Sequence, residues 1–476
     1  MQSYYWANNN MFNLTRKLKL NFKMAEKTEN SLLYSFILIS SILYSIYNEF
    51  EDIPIYMDEK FHLNQTISYY NNNYYSWDNK LTTFPGTFLI GSLFFKIFHF
   101  LHIPITEKNS IKIARLLIVI ISILSFIILS LFKKKNSIEP DLKYKFQLII
   151  SLFPINFFFN FLYYTDALSI FSLILFFYLN LYFQKNYFLR FLSGILCILI
   201  RQNNIIWVNF FSLKDVINLI GNIFNNYVSL KNIFNSIFST ILENIDILII
   251  DILFISFLIK NNFSVVLGDK SHHEMVFHLA QINHILIFSL IFFPMLNYKT
   301  LRNVNKILTT KKKTARFLLI FFIITFAVFQ FNKFSYIHDF ILSDNRHYIF
   351  YYFKKIYLKD NIRYALLVYI SFTYSIIIND NLNLLKDNRI ISLIICAFLS
   401  LVPSKLVELR YFTPVYIIFN ILINYNKDNF GDLHQYIFNW FNIIVQFVIN
   451  CITIYIFLFK PFENKFMQNE ISRFMY

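Results

Sequence analysis

Long runs of Ile, Leu, Phe and Tyr recur between Ser31 and Phe459, most of about 20 residues or somewhat fewer and almost free of ionisable groups, with short polar or basic stretches between them. As a helix, such a run satisfies its own backbone hydrogen bonds and can leave its side chains in hydrocarbon. The chain is therefore expected to be an all-α polytopic membrane protein. The overall balance agrees: 56% of residues are hydrophobic, 15% are charged, and the mean hydropathy is +0.47.

The net charge of +16 raises the question of nucleic-acid binding. Its excess sits in Arg16–Lys27, Lys133–Lys145 and Lys299–Arg316, short loops between hydrophobic runs, which is how cytosolic loops look under the positive-inside rule. The bilayer is the expected partner and nucleic acid is not. Cys197, Cys396 and Cys451 all lie inside apolar runs, so no disulfide framework or metal site is expected from them.

These basic loops set a topology. Residues 1–30 read as a basic cytosolic N-terminal extension and residues 31–476 as one transmembrane domain, beginning with a signal anchor over 31–50. Residues 51–110 then form a first lumenal loop. Gly86–Leu101 carries Lys96 and His99 and is shorter than a full crossing, so it is expected to lie in the lumenal interface. Crossings follow at Ile111–Phe132, Phe146–Leu162, Ala167–Phe183, a short pair within 188–220, Ile245–Ile259, Leu279–Leu296, Phe317–Gln330, Tyr364–Ile378, Ile390–Val402, Thr413–Ile423 and Tyr436–Phe459. With the anchor these make about thirteen spans.

This arrangement sorts the ionisable clusters to one side: Asp58, Glu59 and His62; Asp78; Asp166; Arg201; Asp269–His278; His338–His347; and Lys405–Arg410. A charge at a helix centre costs about 2.5 to 3.5 kcal/mol and less near the interface, so many from separate segments imply one wet cavity. A helix beginning after Pro54 would place Asp58 and His62 on one face, with Thr66 one turn on. One of the two acids can then serve as general base, or both can simply cap that helix. Arg201, Arg346 and Arg410 can grip an anionic group with forked donors, or pair with neighbours such as Asp344 and Glu408.

The segment SHHEMVFH does not fit a zincin helix, because His273 and His278 are five residues apart and Phe277 stands where a ligand is needed. It fits a loop contacting a polar substrate better. With six glycines and no phosphate-cradling loop, backbone binding of a nucleotide is not expected, and an activated donor would come from the membrane. A transporter of lipid-linked sugar would share the multi-span plan, but it calls for polar sites near the midplane with access from both sides.

In order and spacing, PIYMDEKFH, SWDNKLTTFPG, FNFLYYTD, RQNNIIW, GDKSHHE, SDNRHYIFY, KLVELRYFTPVYI and SRFMY closely resemble the dolichyl-phosphate-glucose-dependent alpha-1,2-glucosyltransferase family, which adds the terminal glucose of the lipid-linked N-glycan precursor. The resemblance implies a GT-C fold in the endoplasmic reticulum membrane with a lumenal site. It implies dolichyl phosphate glucose as donor, a diglucosylated dolichyl-diphosphate oligosaccharide as acceptor, inversion at the anomeric carbon, and neither cofactor nor metal. On the matching positions Asp58 is the base, with Glu59 second choice. His62, Arg346, His347 and Arg410 are plausible contacts to donor phosphate or sugar. Trp77, Asp78, Asp166, Arg201, Asp269, His273, Glu274, Asn345 and Glu408 complete the expected substrate-binding set. This chain departs in RQNN, where the family commonly has RQTN, and in VELR, where an aromatic often precedes the Arg.

Overall fold

The computed structural model describes residues 40, 42–132, 140–225, 230–270, 274–309, 313–380, 386–425, 433–463 and 471–476. The basic extension at 1–30, half of the expected anchor, residues 133–139 and His273 lie outside the described residues. Within them the hydrophobic runs are helices: Glu107–Leu131, Thr165–Tyr182, Tyr187–Ile200, Ile245–Lys260, Lys313–Lys333, Asp360–Asp380, Asn388–Leu401, Thr413–Tyr425 and Trp440–Phe459 among them. Four are long and apolar enough to cross a bilayer, Glu107–Leu131, Thr165–Tyr182, Asp360–Ile378 and Leu433–Phe459, while others, including Tyr187–Ile200 and Asn388–Leu401, are shorter apolar helices. The chain is thus a mostly helical membrane protein.

Two runs expected to be continuous are broken, both at proline. Pro154 lacks the N–H that would extend the Pro140–Ser151 helix, and its ring would clash with a carbonyl one turn back. It sits instead at the first turn of a separate helix, Pro154–Phe159, where a missing donor costs nothing. The chain then turns through Asn160–Tyr164 into Thr165–Tyr182. Likewise Gln281–Phe292 and the helix from Met295 meet at 95° across Pro294. The first break matters for function, because it delivers Tyr163, Tyr164 and Asp166 to the first loop.

That loop contains the Glu59–Tyr70 and Gly86–Phe100 helices, packed on each other. Gly86–Phe100 has 15 residues, buries Phe88, Gly91 and Phe95, and turns Leu93, Ile97 and Phe100 outward. A Cβ at Gly86 would run into the Leu199 carbonyl, so this helix begins directly on the end of Tyr187–Ile200. At Gly91 a Cβ would displace the Tyr163 hydroxyl, which is hydrogen-bonded to Thr66 at 2.8 Å.

The loop is fastened by Arg115, on the Glu107–Leu131 helix. Its Nε and Nη2 donate to the two carboxylate oxygens of Glu59 at 2.9 and 2.6 Å, and both side chains are fully buried. Arg115 Nη1 donates to the Phe50 and Ile53 carbonyls at 2.7 and 2.8 Å, and Nη2 to Pro54 at 3.2 Å. Glu59 also accepts the N–H groups of Tyr56 at 3.0 Å and Tyr163 at 2.7 Å.

Two tests of this packing follow. Gly86→Ala should force the helices apart and cost about 1–3 kcal/mol, read as a lowered melting temperature of the detergent-solubilised protein. Arg115→Met strands the Glu59 carboxylate in the interior, so a loss of about 3–5 kcal/mol is expected, part of which the joint change Glu59→Met with Arg115→Met should recover.

Candidate active site

Beside the start of the Glu59–Tyr70 helix lies a chamber of about 430 Å³. Asp58 forms one wall, Arg346 and His347 another, and Glu408 and Arg410 a third. Met57, in the left-handed region at φ 51°, turns the chain sharply just before the helix. Asp58 holds the N-cap position, yet its side chain makes no capping hydrogen bond, and 46% of it is exposed. Its own N–H is held by the Tyr164 hydroxyl at 3.2 Å. The adjacent acids therefore differ completely: Glu59 is saturated by partners in the interior, and Asp58 offers its carboxylate to the chamber.

Arg410 is the hub of the polar groups. Its Nε donates to Glu408, and its Nη1 stands 3.9 Å from Asp58 Oδ2 and 3.8 Å from Asp166 Oδ2. Its guanidinium lies 5.9 Å from the centre of the Tyr164 ring. Asp166 is held in turn by Arg201, whose Nη2 donates to it at 3.0 Å and whose Nε donates to Thr165 Oγ1 at 2.9 Å. Burial works to raise the Glu408 carboxyl, but the Arg410 charge outweighs it and holds Glu408 below its usual range.

Across the chamber Arg346 grips Asp344 with two hydrogen bonds of 2.8 Å. Burial of Asp344 is again outweighed, here by the Arg346 hydrogen bond, so its carboxyl is held low. The His347 ring bonds through Nδ1 to the Tyr476 main-chain oxygen at 2.8 Å, while Nε2 stands 3.7 Å from Asp344. A carbonyl can only accept, so Nδ1 donates to it and Nε2 is the nitrogen left to face a ligand.

Other expected contacts stand outside the chamber lining. His62 is buried, with Nδ1 donating to the Tyr163 carbonyl at 2.9 Å and its ring edge-on to Tyr164 at 5.4 Å. Burial lowers its pKa, so it supports Asp58 as a neutral buttress beneath Tyr164. Trp77 packs on Phe88 at 6.0 Å, and Asp78 Oδ1 caps a turn by accepting the Lys80 N–H at 2.9 Å. Asp269 is exposed, with its N–H on the Asn79 carbonyl at 2.9 Å. Glu274 is exposed and Asn345 half-buried, and neither lines the chamber. His273 lies outside the described residues. Among the described residues no group of three or more His, Cys, Asp and Glu is placed to hold a metal ion.

Sequence reasoning missed Arg115, Tyr164 and the segment Ile471–Tyr476 as parts of this site. An arginine inside an otherwise apolar helix was the available signal for Arg115, since such a charge needs a partner. The sequence places His278 in a loop expected to contact a polar substrate. Instead its Nδ1 bonds to the Ser404 carbonyl at 3.2 Å and its Nε2 accepts the Tyr336 N–H at 3.3 Å. The Gln281 amide adds bonds to Ser404 and Leu406 at 3.1 and 3.0 Å. Together they pin the segment that leads to Glu408 and Arg410.

Burial pushes His278 from 6.5 down to about 4. The stability gained from a neutral His278 is therefore fully present above pH 6.5 and lost as pH falls through about 4. Melting curves across this range should show the wild type losing its advantage over His278→Gln as acidity rises, and an advantage independent of pH would contradict this.

The sequence profile of the DIE2/ALG10 family matches residues 53–421. A human protein named Dol-P-Glc:Glc(2)Man(9)GlcNAc(2)-PP-Dol alpha-1,2-glucosyltransferase is 30% identical over 92% of this chain and 96% of its own length. Relatives of the same name are 29% identical in Candida albicans, over 85% of this chain and 90% of theirs, and 26% identical in Drosophila melanogaster, over 90% and 94%. No solved structure matches the chain. A free carboxylate facing guanidinium and imidazole groups across a chamber in a multi-helix membrane chain, together with a profile match that covers the first loop and the Arg410 segment, makes this protein a member of the DIE2/ALG10 family.

Proposed function

We propose that this protein is an inverting alpha-1,2-glucosyltransferase of the endoplasmic reticulum membrane. It transfers the terminal glucose from dolichyl phosphate glucose to a diglucosylated dolichyl-diphosphate oligosaccharide. Its fold is GT-C, with about thirteen crossings and the chamber open to the lumen. The names borne by its relatives support the reaction. The observation that carries the assignment of residues is the separation of the acid pair: only Asp58 has a carboxylate free to accept a proton inside the chamber.

In this reading the acceptor hydroxyl lies against Asp58, which takes its proton as the oxygen attacks the anomeric carbon. The bond from that carbon to the donor phosphate breaks in the same displacement, so a beta-linked donor gives an alpha product. The negative charge gathering on the departing dolichyl phosphate is met by Arg346 and His347, with Arg410 between phosphate and base. Forked guanidinium donors suit phosphate, and no metal or cofactor is required for the step. Arg410 also keeps the Asp58 carboxylate aligned, while Asp166, Arg201 and Glu408 hold Arg410 in place.

The direct test is purified protein with dolichyl phosphate glucose and either mono- or diglucosylated acceptor. Transfer should require the diglucosylated acceptor, and Asp58→Asn should reduce kcat by roughly 10²- to 10⁴-fold with unchanged abundance. Glu59→Gln should instead reduce the amount of folded protein. A full rate from Asp58→Asn would remove Asp58 as base.

A further inference from the structure

The segment Ile471–Tyr476 is separated from the first loop by most of the chain, yet it touches both walls of the chamber. At one end the Tyr56 hydroxyl, two residues before Asp58, donates to the Arg473 carbonyl at 2.5 Å and accepts the Arg473 N–H at 2.8 Å. At the other, Met475 pairs with His347 as a single parallel bridge: Met475 N–H donates to the Arg346 carbonyl at 2.9 Å, and Tyr348 N–H to the Met475 carbonyl at 3.0 Å. The next carbonyl, Tyr476, receives His347 Nδ1–H.

The segment is itself firmly seated. Arg473 Nη1 donates to the Phe457 and Leu458 carbonyls at 2.6 and 2.8 Å, near the end of the Trp440–Phe459 helix, where backbone acceptors lack helical partners. Met475 is 2% exposed, and the Tyr476 ring packs between Phe158 and Tyr348 at 5.7 and 5.4 Å. Every bond it makes to the two walls uses its own main chain, so what matters is its course more than its side chains.

We infer that Ile471–Tyr476 is a positioning strut that fixes the separation between the Asp58 loop and the Arg346–His347 loop, and that it sets the orientation of the His347 ring. This rests on the glucosyltransferase reading, in which proton acceptance and phosphate binding occur on those opposite walls. Four residues of extended main chain from Arg473 to Tyr476 join them. Removing the strut leaves both walls present but lets their spacing drift, and loss of alignment of that kind is expressed in turnover.

The test uses the full membrane protein in two forms: Tyr56→Phe, which removes one hydroxyl, and a chain stopping at Phe474, which removes the bridge and the His347 acceptor. Each should lower kcat roughly tenfold or more and raise KM for the donor, leaving KM for the acceptor near wild type. The melting temperature should stay near wild type in Tyr56→Phe and fall in the shortened chain, which also loses the buried Met475 and the packed Tyr476 ring. Their combination should be no worse than the shortened chain alone, since both cut one strut. Hydrogen exchange at the Tyr348 amide should accelerate in the shortened chain. Wild-type kcat in both forms, or losses that simply track the amount of folded protein, would overturn the inference. If the shortened chain does not fold, Tyr56→Phe decides the matter alone. Failure of the wild type to transfer glucose would instead count against the glucosyltransferase reading, and the exchange measurement would still report on the strut.

Discussion

Everything at the site hangs on a carboxylate and a guanidinium that are both wholly out of water, Glu59 and Arg115. Such a pair is a poor source of net stability, because removing two charges from water offsets most of their attraction. Its value lies in geometry. One guanidinium collects three carbonyls from Phe50 to Pro54 and both oxygens of Glu59, while Glu59 takes the N–H groups of Tyr56 and Tyr163. The reversal of the chain between the helix over residues 42–51 and the Glu59–Tyr70 helix is thereby fastened at Phe50, Ile53, Pro54 and Tyr56. Asp58, the residue at its corner, points its carboxylate into the chamber.

The acid doublet shows how neighbours in sequence acquire opposite duties. Successive residues at the start of a helix project about 100° apart, so one can face the interior while the next faces the cavity. The interior position needed a charged partner and found it in Arg115. The cavity position was left with Arg410 at a distance too long for a direct hydrogen bond, so its carboxylate faces a cation without being occupied by it. Tyr164 completes the arrangement, its hydroxyl on the Asp58 N–H and its ring beside the Arg410 guanidinium.

Much of the helical plan was legible because hydropathy and basic loops are local signals. The helices Glu107–Leu131, Thr165–Tyr182 and Asn388–Leu401 begin and end within a few residues of their runs. The breaks at Pro154 and Pro294 were written in the sequence too, but their prolines sat inside runs whose apolarity argued for continuity. Asp58, Arg346, His347 and Arg410 could be picked out by residue type, and the structure brings them to one chamber. What could not be read was partnership. Nothing local distinguishes Asp58 from Glu59, nor ties Arg115 to the doublet 56 positions earlier or Arg473 to a tyrosine 417 positions away. Trp77 and Asp78, attractive as aromatic and acid, serve the packing and turn of the first loop.

The chamber is also nearly neutral. Of the residues lining it, Asp58, Asp344 and Glu408 stand against Arg346, Arg410 and His347, each cation already beside an acid. Opposed charges at such short range cancel beyond a few ångströms, so little field extends into the surrounding water. In the proposed reaction an anionic lipid headgroup would then meet the site from within the membrane plane, its phosphate oxygens taking the place of a carboxylate on the guanidinium donors. Capture on such terms would follow how densely the lipid populates the membrane plane more than the ionic strength outside it.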